Sequence, residues 1–189
     1  MKIRTTALFL ACATLPACLS KEPPLPTHYF HPALEPLAGE EVPGTIRLRL
    51  EPMTSGLDIG GRMLWRVSET EWMPDEANLW ARSPRVLLEE RLRDRLFGIG
   101  GYRESLLGDG PILRVQLVAF HGIPGPDPSA QLELILDLSS PSDAQYRTRI
   151  TIEEPLTSVS PEALAEAMGT VLARAAEESA SWMEMRLRQ

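Results

Sequence analysis

Alternating hydrophobic and polar residues mark five stretches of the chain, and this period of two is typical of half-buried β-strands. The stretches are residues 45–50, 62–68, 112–120, 131–138 and 145–152. In the third stretch, the apolar row consists of Leu113, Val115, Leu117 and Ala119. The connectors 122–129 and 139–143 are rich in Pro, Gly, Ser and Asp. The last three strands are therefore predicted to form an antiparallel meander with one solvated face.

Two stretches have the period of an α-helix instead. Ser83 and Pro84 are a favourable N-cap and first helical residue, and leucines recur after them at every fourth position until the glycines at 98–101. Ser160 and Pro161 repeat this start and open a long apolar stripe that runs almost to the C-terminus. The predicted fold is therefore α+β, a two-layer sandwich in which two helices pack on one face of a mostly antiparallel sheet of about five strands.

The N-terminus has the layout of a secretory signal peptide. Lys2 and Arg4 precede a short apolar run that falls well below the roughly 20 residues that a membrane-spanning helix needs. Residues 15–18, Leu-Pro-Ala-Cys, resemble the bacterial lipobox, which implies that Cys18 is acylated and that the chain is cleaved before it. An ordinary signal peptide with a chance cysteine is the alternative. We expect a lipoprotein signal peptide at 1–17, a lipidated N-terminus and proline-rich spacer at 18–28, and one domain at 29–189.

Composition and charge exclude some classes of protein. Hydrophobic residues make up 43% of the 189-residue chain and charged residues 24%, as in an ordinary globular domain. The formal net charge is −7, and it becomes −9 once residues 1–17, with Lys2 and Arg4, are removed. A chain this acidic repels nucleic-acid backbones and is not attracted to anionic lipid. We therefore expect no nucleic-acid partner and a membrane attachment that rests on the acyl chains of Cys18.

No residue pattern indicates a catalytic or metal site. Cys12 and Cys18 lie in the first eighteen residues, where nothing downstream can complete a thiolate site with them. His28 and His31 lack the glutamate and the helical setting of a zinc-protease motif. We expect a protein that is not an enzyme and that needs no cofactor, with a periplasmic hydrolase as the enzymatic alternative.

Three tryptophans are associated with a polar stretch at residues 68–78. Trp65 and Trp80 bracket this stretch, and Trp72 lies inside it. Aromatic side chains in such a setting either belong to the core or line an exposed apolar patch for a partner or a lipid chain. Both interpretations stay open from the sequence, and Trp65, Trp72 and Trp80 are the candidate partner or lipid surface.

Several short motifs occur in a characteristic order. Tyr29-Phe30 follows the lipobox and the spacer, residues 55–58 and 62–66 form a Gly-Leu loop and an Arg-Met-Leu-Trp-Arg strand, and residues 79–84 read Leu-Trp-Ala-Arg-Ser-Pro at a helix start. In this order they resemble the ABC-type transport auxiliary lipoprotein family, whose best-known branch is paraquat-inducible protein C. The chain departs from the family pattern at two places. The family has tyrosine at the position of Trp65, and it has an aromatic-rich strand where this chain has residues 69–74.

The resemblance implies a non-catalytic, lipid-anchored periplasmic subunit of a lipid transport system. It would act with a substrate-binding protein of the mammalian-cell-entry type and with ABC permease components that move phospholipid or other hydrophobic molecules across the envelope. The residue after Cys18 is Leu19 and not Asp, and in this respect the chain resembles lipoproteins that are located at the periplasmic face of the outer membrane. The resemblance also implies a homo-oligomer that docks on or caps a transport conduit. An outer-membrane assembly or pilotin-type lipoprotein that binds a secretin or barrel protein is the alternative.

Overall fold

The computed structural model describes residues 26–37, 44–56, 61–106, 110–140 and 144–188. Within these ranges the chain forms nine strands and two helices. The strands are β1 (His28–Phe30), β2 (Ile46–Leu50), β3 (Thr54–Ser55), β4 (Arg62–Arg66), β5 (Trp72–Trp80), β6 (Tyr102–Glu104), β7 (Ile112–Ile123), β8 (Ser129–Ser139) and β9 (Gln145–Pro155). The helices are α1 (Pro84–Arg93) and α2 (Pro161–Leu187), and a π-helical turn (Asp94–Ile99) continues α1.

The long strand β7 is the centre of the sheet. One of its edges begins the antiparallel meander β7-β8-β9. Three short strands share its other edge in succession, because β2 pairs with its beginning, β3 with its middle and β4 with its end, all in parallel. From there, β6 pairs with β2, while β5 and then β1 extend the sheet beyond β4.

This topology confirms the predicted α+β class and corrects the predicted sheet. All five predicted strands are present, and the predicted meander is confirmed. The described residues form nine strands, however, and the sheet is mixed, because β1, β2, β3, β4 and β6 all take part in parallel pairs. Three of the four additional strands contain only two or three residues, too few to show an alternating pattern.

The fourth additional strand, β5, is irregular. Its register against β4 shifts between Arg62 and Leu64. Near this bulge, Asp75 Oδ1 accepts hydrogen bonds from the amides of Ala77 and Asn78, both at 3.0 Å. The carboxylate thereby bonds the local backbone where the ladder is interrupted, and the sequence shows no alternation there.

A β-bulge between Leu117 and Ala119 changes which side chains of β7 face the core. Ala119 pairs with Glu133 of β8, on the sheet face away from the helices. Phe120 takes the next core position and is 2% exposed. The predicted apolar row is therefore confirmed up to Leu117. Ala119 is buried too, with 5% of its surface exposed, but on the other face of the sheet, because a simple alternation does not include the extra residue Val118.

The core lies between the inner face of the sheet and the helices. Helix α2 packs across β8 and β9, and α1 packs against α2. Fully buried side chains of β8 and α2 face each other there: Leu132, Leu134, Leu136 and Leu138 from the strand, and Leu164, Met168, Val171, Leu172, Ala175 and Met183 from the helix.

The two helix starts occur where the sequence predicts them. Ser160 caps α2, since its Oγ accepts a hydrogen bond from the amide of Ala163 at 3.2 Å. Ser83 occupies the N-cap position of α1, but its side chain makes no capping bond. Its carbonyl oxygen instead accepts hydrogen bonds from the amides of Val86 and Leu87, at 2.9 and 3.1 Å.

The first described residues are bound to the domain at two points. The carbonyl of Phe30 accepts a hydrogen bond from the amide of Ala81 at 2.7 Å. Further along, the carbonyl oxygen of Ala33 lies so close to α2 that a Cβ atom on Gly169 would be 2.0 Å from it. The absence of a side chain at Gly169 is therefore what lets the N-terminal segment cross the helix.

Candidate functional site

One end of the sheet collects the termini of several elements. Strands β4 and β7 run parallel, with Trp65 opposite Gly122, so both finish at this end. Because β8 is antiparallel to β7 and β9 to β8, β8 begins there and β9 finishes there, followed by the start of α2. We call this the hairpin end, because the turn between β4 and β5, residues 67–71, lies there.

The hairpin turn is held by short-range hydrogen bonds. The amides of Val67 and Ser68 donate to the carbonyl of Glu71, at 3.0 and 3.3 Å. The Oγ atom of Ser68 accepts the amides of Thr70 and Glu71, at 3.3 and 3.1 Å. The serine side chain thus satisfies the turn backbone, which fixes the residues on either side of it.

Three apolar side chains flank this turn and reach solvent. Val67 is 46% exposed, Trp72 39% and Met73 53%, and we call this group the apolar tip. Because Trp72 and Met73 are consecutive in β5, their side chains lie on opposite faces of the hairpin, so the tip exposes apolar surface on both faces. Exposed apolar surface at the tip of a hairpin is suited to contact with a partner or a membrane. Glu69 and Glu71, in the turn itself, are both exposed.

A surface cavity of about 640 Å³ opens at the same end of the domain. Its walls are residues 125–129, after β7, and residues 155–159, after β9. The lining combines three prolines with Leu156 and Val159, and Val159 is 52% exposed. The hairpin end therefore carries exposed apolar surface on two neighbouring loops as well as on the apolar tip.

The N-terminal segment also points toward the hairpin end. Strand β1 runs parallel to β5, with Tyr29 opposite Leu79. Since β5 begins at Trp72, at the hairpin end, the chain that precedes β1 leads toward that end. Pro26 is the first described residue and follows Cys18 by eight positions. Eight residues span at most about 27 Å at roughly 3.4 Å per extended residue.

The structure corrects the predicted tryptophan surface. Trp65 and Trp80 belong to the core, with 5% and 3% of their surfaces exposed. The ring of Trp80 meets that of Phe120 edge to face at a centroid distance of 5.2 Å. Of the three candidates, only Trp72 presents its ring to solvent, so the exposed surface consists of Trp72 and the flanking Val67 and Met73.

A buried histidine lies beneath Trp72. His121 is 1% exposed, and its ring meets that of Trp72 edge to face at 4.6 Å. Within the described ranges, neither ring nitrogen meets a partner in hydrogen-bond geometry. Burial, and then the charge of Arg66, lowers the pKa of His121 to about 4, against a smaller opposing effect of Gln131. His121 is therefore neutral at neutral pH.

Several predicted features lie outside the described residues. These are the signal peptide, Cys18 and most of the spacer, together with Leu57 and Asp58 of the Gly-Leu loop. The acylation of Cys18 stays a prediction.

In the part of the chain that the structure covers, no helix is long and apolar enough to span a membrane. The same part contains no group of three His, Cys, Asp or Glu side chains that could hold a metal ion. His31 uses its Nδ1 atom in a hydrogen bond with the carbonyl of Pro32 at 2.9 Å.

The sequence does not reveal two parts of this site. Val67 continues an apolar row with Met63 and Trp65, yet β4 ends at Arg66 and leaves Val67 exposed. The burial of His121 depends on the bulge in β7, which sets the side-chain alternation that follows it. The one usable signal is the run Trp72-Met73-Pro74 inside a polar stretch, which places apolar residues where a surface is expected.

Solved structures with a similar fold include the following three. Protein XCC0632 from Xanthomonas campestris, of family DUF330, is 18% identical, with a TM-score of 0.68, and the match covers 83% of this chain and 94% of that chain. An uncharacterized protein is 16% identical, with a TM-score of 0.62, over 86% and 99% of the two chains. The hypothetical protein CT253 from Chlamydia trachomatis is 10% identical, with a TM-score of 0.54, over 76% and 96%.

These likenesses concern the fold, because their identities are low. No protein-family model matches the sequence, and no curated protein sequence matches it. The chain thus has a fold similar to that of XCC0632, a DUF330 protein.

Proposed function

We propose that this protein is a non-catalytic, lipid-anchored auxiliary subunit of a system that moves phospholipid or other hydrophobic molecules across the cell envelope. The observation that carries the proposal is the direction of the N-terminal segment. Strand β1 runs parallel to β5, so the chain before it is directed toward the hairpin end, and the predicted acylation site Cys18 precedes the first described residue by eight positions. The motif order shared with ABC-type transport auxiliary lipoproteins supplies the functional class.

A short anchored spacer keeps the domain beside the membrane. Two or more acyl chains on Cys18 hold a protein stably, whereas one chain holds it only marginally. The chain between Cys18 and Pro26 limits the distance of Pro26 from the bilayer to about 27 Å. The net charge of −9 after cleavage provides no attraction to anionic lipid, so the acyl chains supply the attachment.

The proposed partners are a substrate-binding protein of the mammalian-cell-entry type and ABC permease components. The protein acts at the periplasmic face of the outer membrane, where it docks on or caps the transport conduit, as a homo-oligomer. The cavity between the loops 125–129 and 155–159 offers a docking surface for a partner, since it is open and its lining mixes polar residues with prolines, Leu156 and Val159.

The anchor is tested by Cys18→Ser. The variant loses the acylation site and is expected in the soluble envelope fraction or as unprocessed precursor, without incorporation of labelled fatty acid. Equal lipid labelling and equal membrane association in the variant and the wild type would contradict the anchor.

The partner is tested by photo-crosslinking in native envelopes. A crosslinking residue at Val159, in the cavity wall, is expected to capture a mammalian-cell-entry-type protein. The control is the same residue at Met185, which is similarly exposed at the C-terminal end of α2. Capture of a secretin or barrel subunit without any mammalian-cell-entry protein would favour the pilotin-type alternative and remove the transport role.

A further inference from the structure

We infer that the apolar tip, formed by Val67, Trp72 and Met73, contacts the lipid bilayer beside the anchor. The occupant is a zwitterionic bilayer, met at the level of the headgroups and the first acyl carbons. This inference rests on the proposed anchor at Cys18 and adds a second contact, which orients the domain on the membrane.

The position of the tip follows from strand register. On β4, Arg62 lies opposite Leu79, the residue that also pairs with Tyr29, and Arg66 lies opposite Trp72. From Arg62 to Arg66 the strand advances by four residues, which is about 13 Å along its axis. Strand β1 begins on the side of the domain that faces this end, so the described segment before Tyr29 is directed toward the end where Trp72 lies.

The length of the spacer makes the contact accessible. Its reach of about 27 Å from Cys18 to Pro26 is a maximum, and any less extended conformation brings Pro26 nearer to the bilayer. Met185, with 57% of its surface exposed, lies at the opposite end of the domain, because α2 starts at the hairpin end and runs away from it. The anchored domain therefore presents the apolar tip, and not the end of α2, to the membrane.

The side chains of the tip suit an interfacial position. Tryptophan is enriched at membrane–water interfaces, because its ring has an apolar body and one polar N–H group. His121 supports the buried side of the Trp72 ring in an edge-to-face contact at 4.6 Å. The exposed part of Trp72 is thus held in place before contact, and the support beneath it carries no charge at neutral pH.

The charges beside the tip select the lipid class. Glu69 and Glu71 lie in the turn between Val67 and Trp72 and are exposed, and Arg66, opposite Trp72, offsets only one of these two charges. The tip is thus net negative, so an anionic surface repels it while a zwitterionic one does not. The patch is small, and the contact can be weak and still populated, because the anchor holds the tip at a high effective concentration near the bilayer.

The test uses a single labelled cysteine in the mature acylated protein. The sequence has cysteines only at 12 and 18, of which Cys12 is removed with the signal peptide and the thiol of Cys18 carries the lipid. An introduced thiol is then the only reactive one. Met73→Cys and Met185→Cys form a matched pair, since they replace the same residue type at similar exposure, 53% and 57%, at opposite ends of the domain.

Each variant is labelled with an environment-sensitive fluorophore and reconstituted into phosphatidylcholine vesicles with and without brominated lipid. The label at position 73 is expected to shift to shorter wavelength and to be quenched by brominated lipid, while the label at position 185 keeps its solution spectrum. Vesicles that contain phosphatidylglycerol at low salt are expected to reduce the shift at position 73, and Glu69→Gln combined with Glu71→Gln is expected to restore it.

The outcomes separate this inference from the proposed function. A protein that carries no lipid and does not float with vesicles contradicts the anchor. A protein that floats with vesicles but leaves the label at position 73 unquenched, or quenches both labels equally, overturns the apolar tip as a membrane contact and leaves the anchor intact. Quenching at position 73 that is unchanged by phosphatidylglycerol overturns the zwitterionic preference.

Discussion

The indole ring of Trp65 lies directly against the backbone of Gly122. A Cβ atom on Gly122 would stand 2.4 Å from Cζ3 of the ring and 2.5 Å from Cε3. The two residues also face each other where β4 meets the end of β7. The ring occupies the volume of the missing side chain, so this contact joins the β4–β5 hairpin, and with it the apolar tip, to the centre of the sheet.

Gly122→Ala is expected to destabilise the domain. The added methyl group forces Trp65 or the strand to move, and overpacking of this kind costs about 1–3 kcal/mol of the free energy of unfolding. Urea denaturation measures the change. Gly98→Ala is the control, because no atom lies within 4 Å of a Cβ there, and it is expected to leave stability unchanged or slightly higher. Equal stability of both variants and the wild type would contradict the close contact.

The buried His121 is expected to make stability depend on pH. Its pKa in the fold is about 4, below the ordinary value of 6.5, so the folded state favours the neutral ring. The resulting stability is complete above pH 6.5 and is lost as pH falls through the folded pKa of about 4. The full loss is of the order of 3 kcal/mol, measured as the free energy of unfolding between about pH 7 and pH 4.

The replacement His121→Phe isolates this effect, since it keeps a ring against Trp72 but removes the titration. It is expected to flatten the pH dependence between about pH 6.5 and 4.5, whereas His28→Gln, at an exposed position, keeps the wild-type slope. Below that window all three proteins lose stability, because hydrogen bonds from Arg114 and Arg95 lower the pKa values of Glu51 and Glu177. An identical slope in His121→Phe and the wild type would contradict the assignment.

Gly169→Ala is expected to detach the N-terminal segment from α2. The new methyl group would meet the carbonyl oxygen of Ala33, a backbone atom that cannot rotate away. Amide hydrogen exchange is expected to accelerate in β1 and to stay unchanged in β8, since β8 lies in the central meander. Helix propensity favours alanine over glycine in α2 by roughly 1 kcal/mol. Unchanged exchange together with a higher melting temperature would therefore show that the N-terminal segment does not need the space left by Gly169.

The ion pair between Arg95 and Glu177 is expected to add little stability. It joins the π-helical turn to α2, with the Arg95 Nε atom donating to Oε2 and Nη2 to Oε1 at 3.0 Å. The Glu177 side chain is 57% exposed, so solvent screens the pair. Glu177→Gln is expected to cost less than about 1 kcal/mol in urea denaturation, with a smaller cost at high salt. A cost well above this would show a stronger interaction than an exposed pair provides.

The sequence predicts the elements in which a single periodic pattern of apolar residues extends over many positions. Helix α2 has a serine cap, a proline in its first turn and a sustained apolar stripe, and the meander has three long alternating runs. The short strands depend on long-range pairing with β2, β5 and β7, which local periodicity does not contain. The bulge in β7 is hidden for another reason: Val118, Ala119 and Phe120 are all apolar, so the pattern fits either register.

The candidate site is predictable only in part. Trp65, Trp72 and Trp80 carry the same chemistry, and residue type alone does not decide which of them is buried. The tertiary structure determines which of them is buried. Trp65 packs on Gly122 and Trp80 packs on Phe120, and both partners belong to β7. Trp72 packs on the ring of His121 with one side and stays partly exposed. The acylation of Cys18 stays a prediction of the sequence alone, because it depends on a linear motif and not on the fold.

The alignment of β1 with β5 has a mechanical consequence for an anchored protein. A pull on the proposed acyl anchor at Cys18 acts along the axis of β1, because β1 begins on the side that faces the hairpin end. Force in this direction loads the hydrogen bonds between β1 and β5 together, in shear, whereas a pull across the strand would break them one after another. Tension from a moving membrane is therefore spread over the whole β1–β5 contact before it reaches the rest of the sheet.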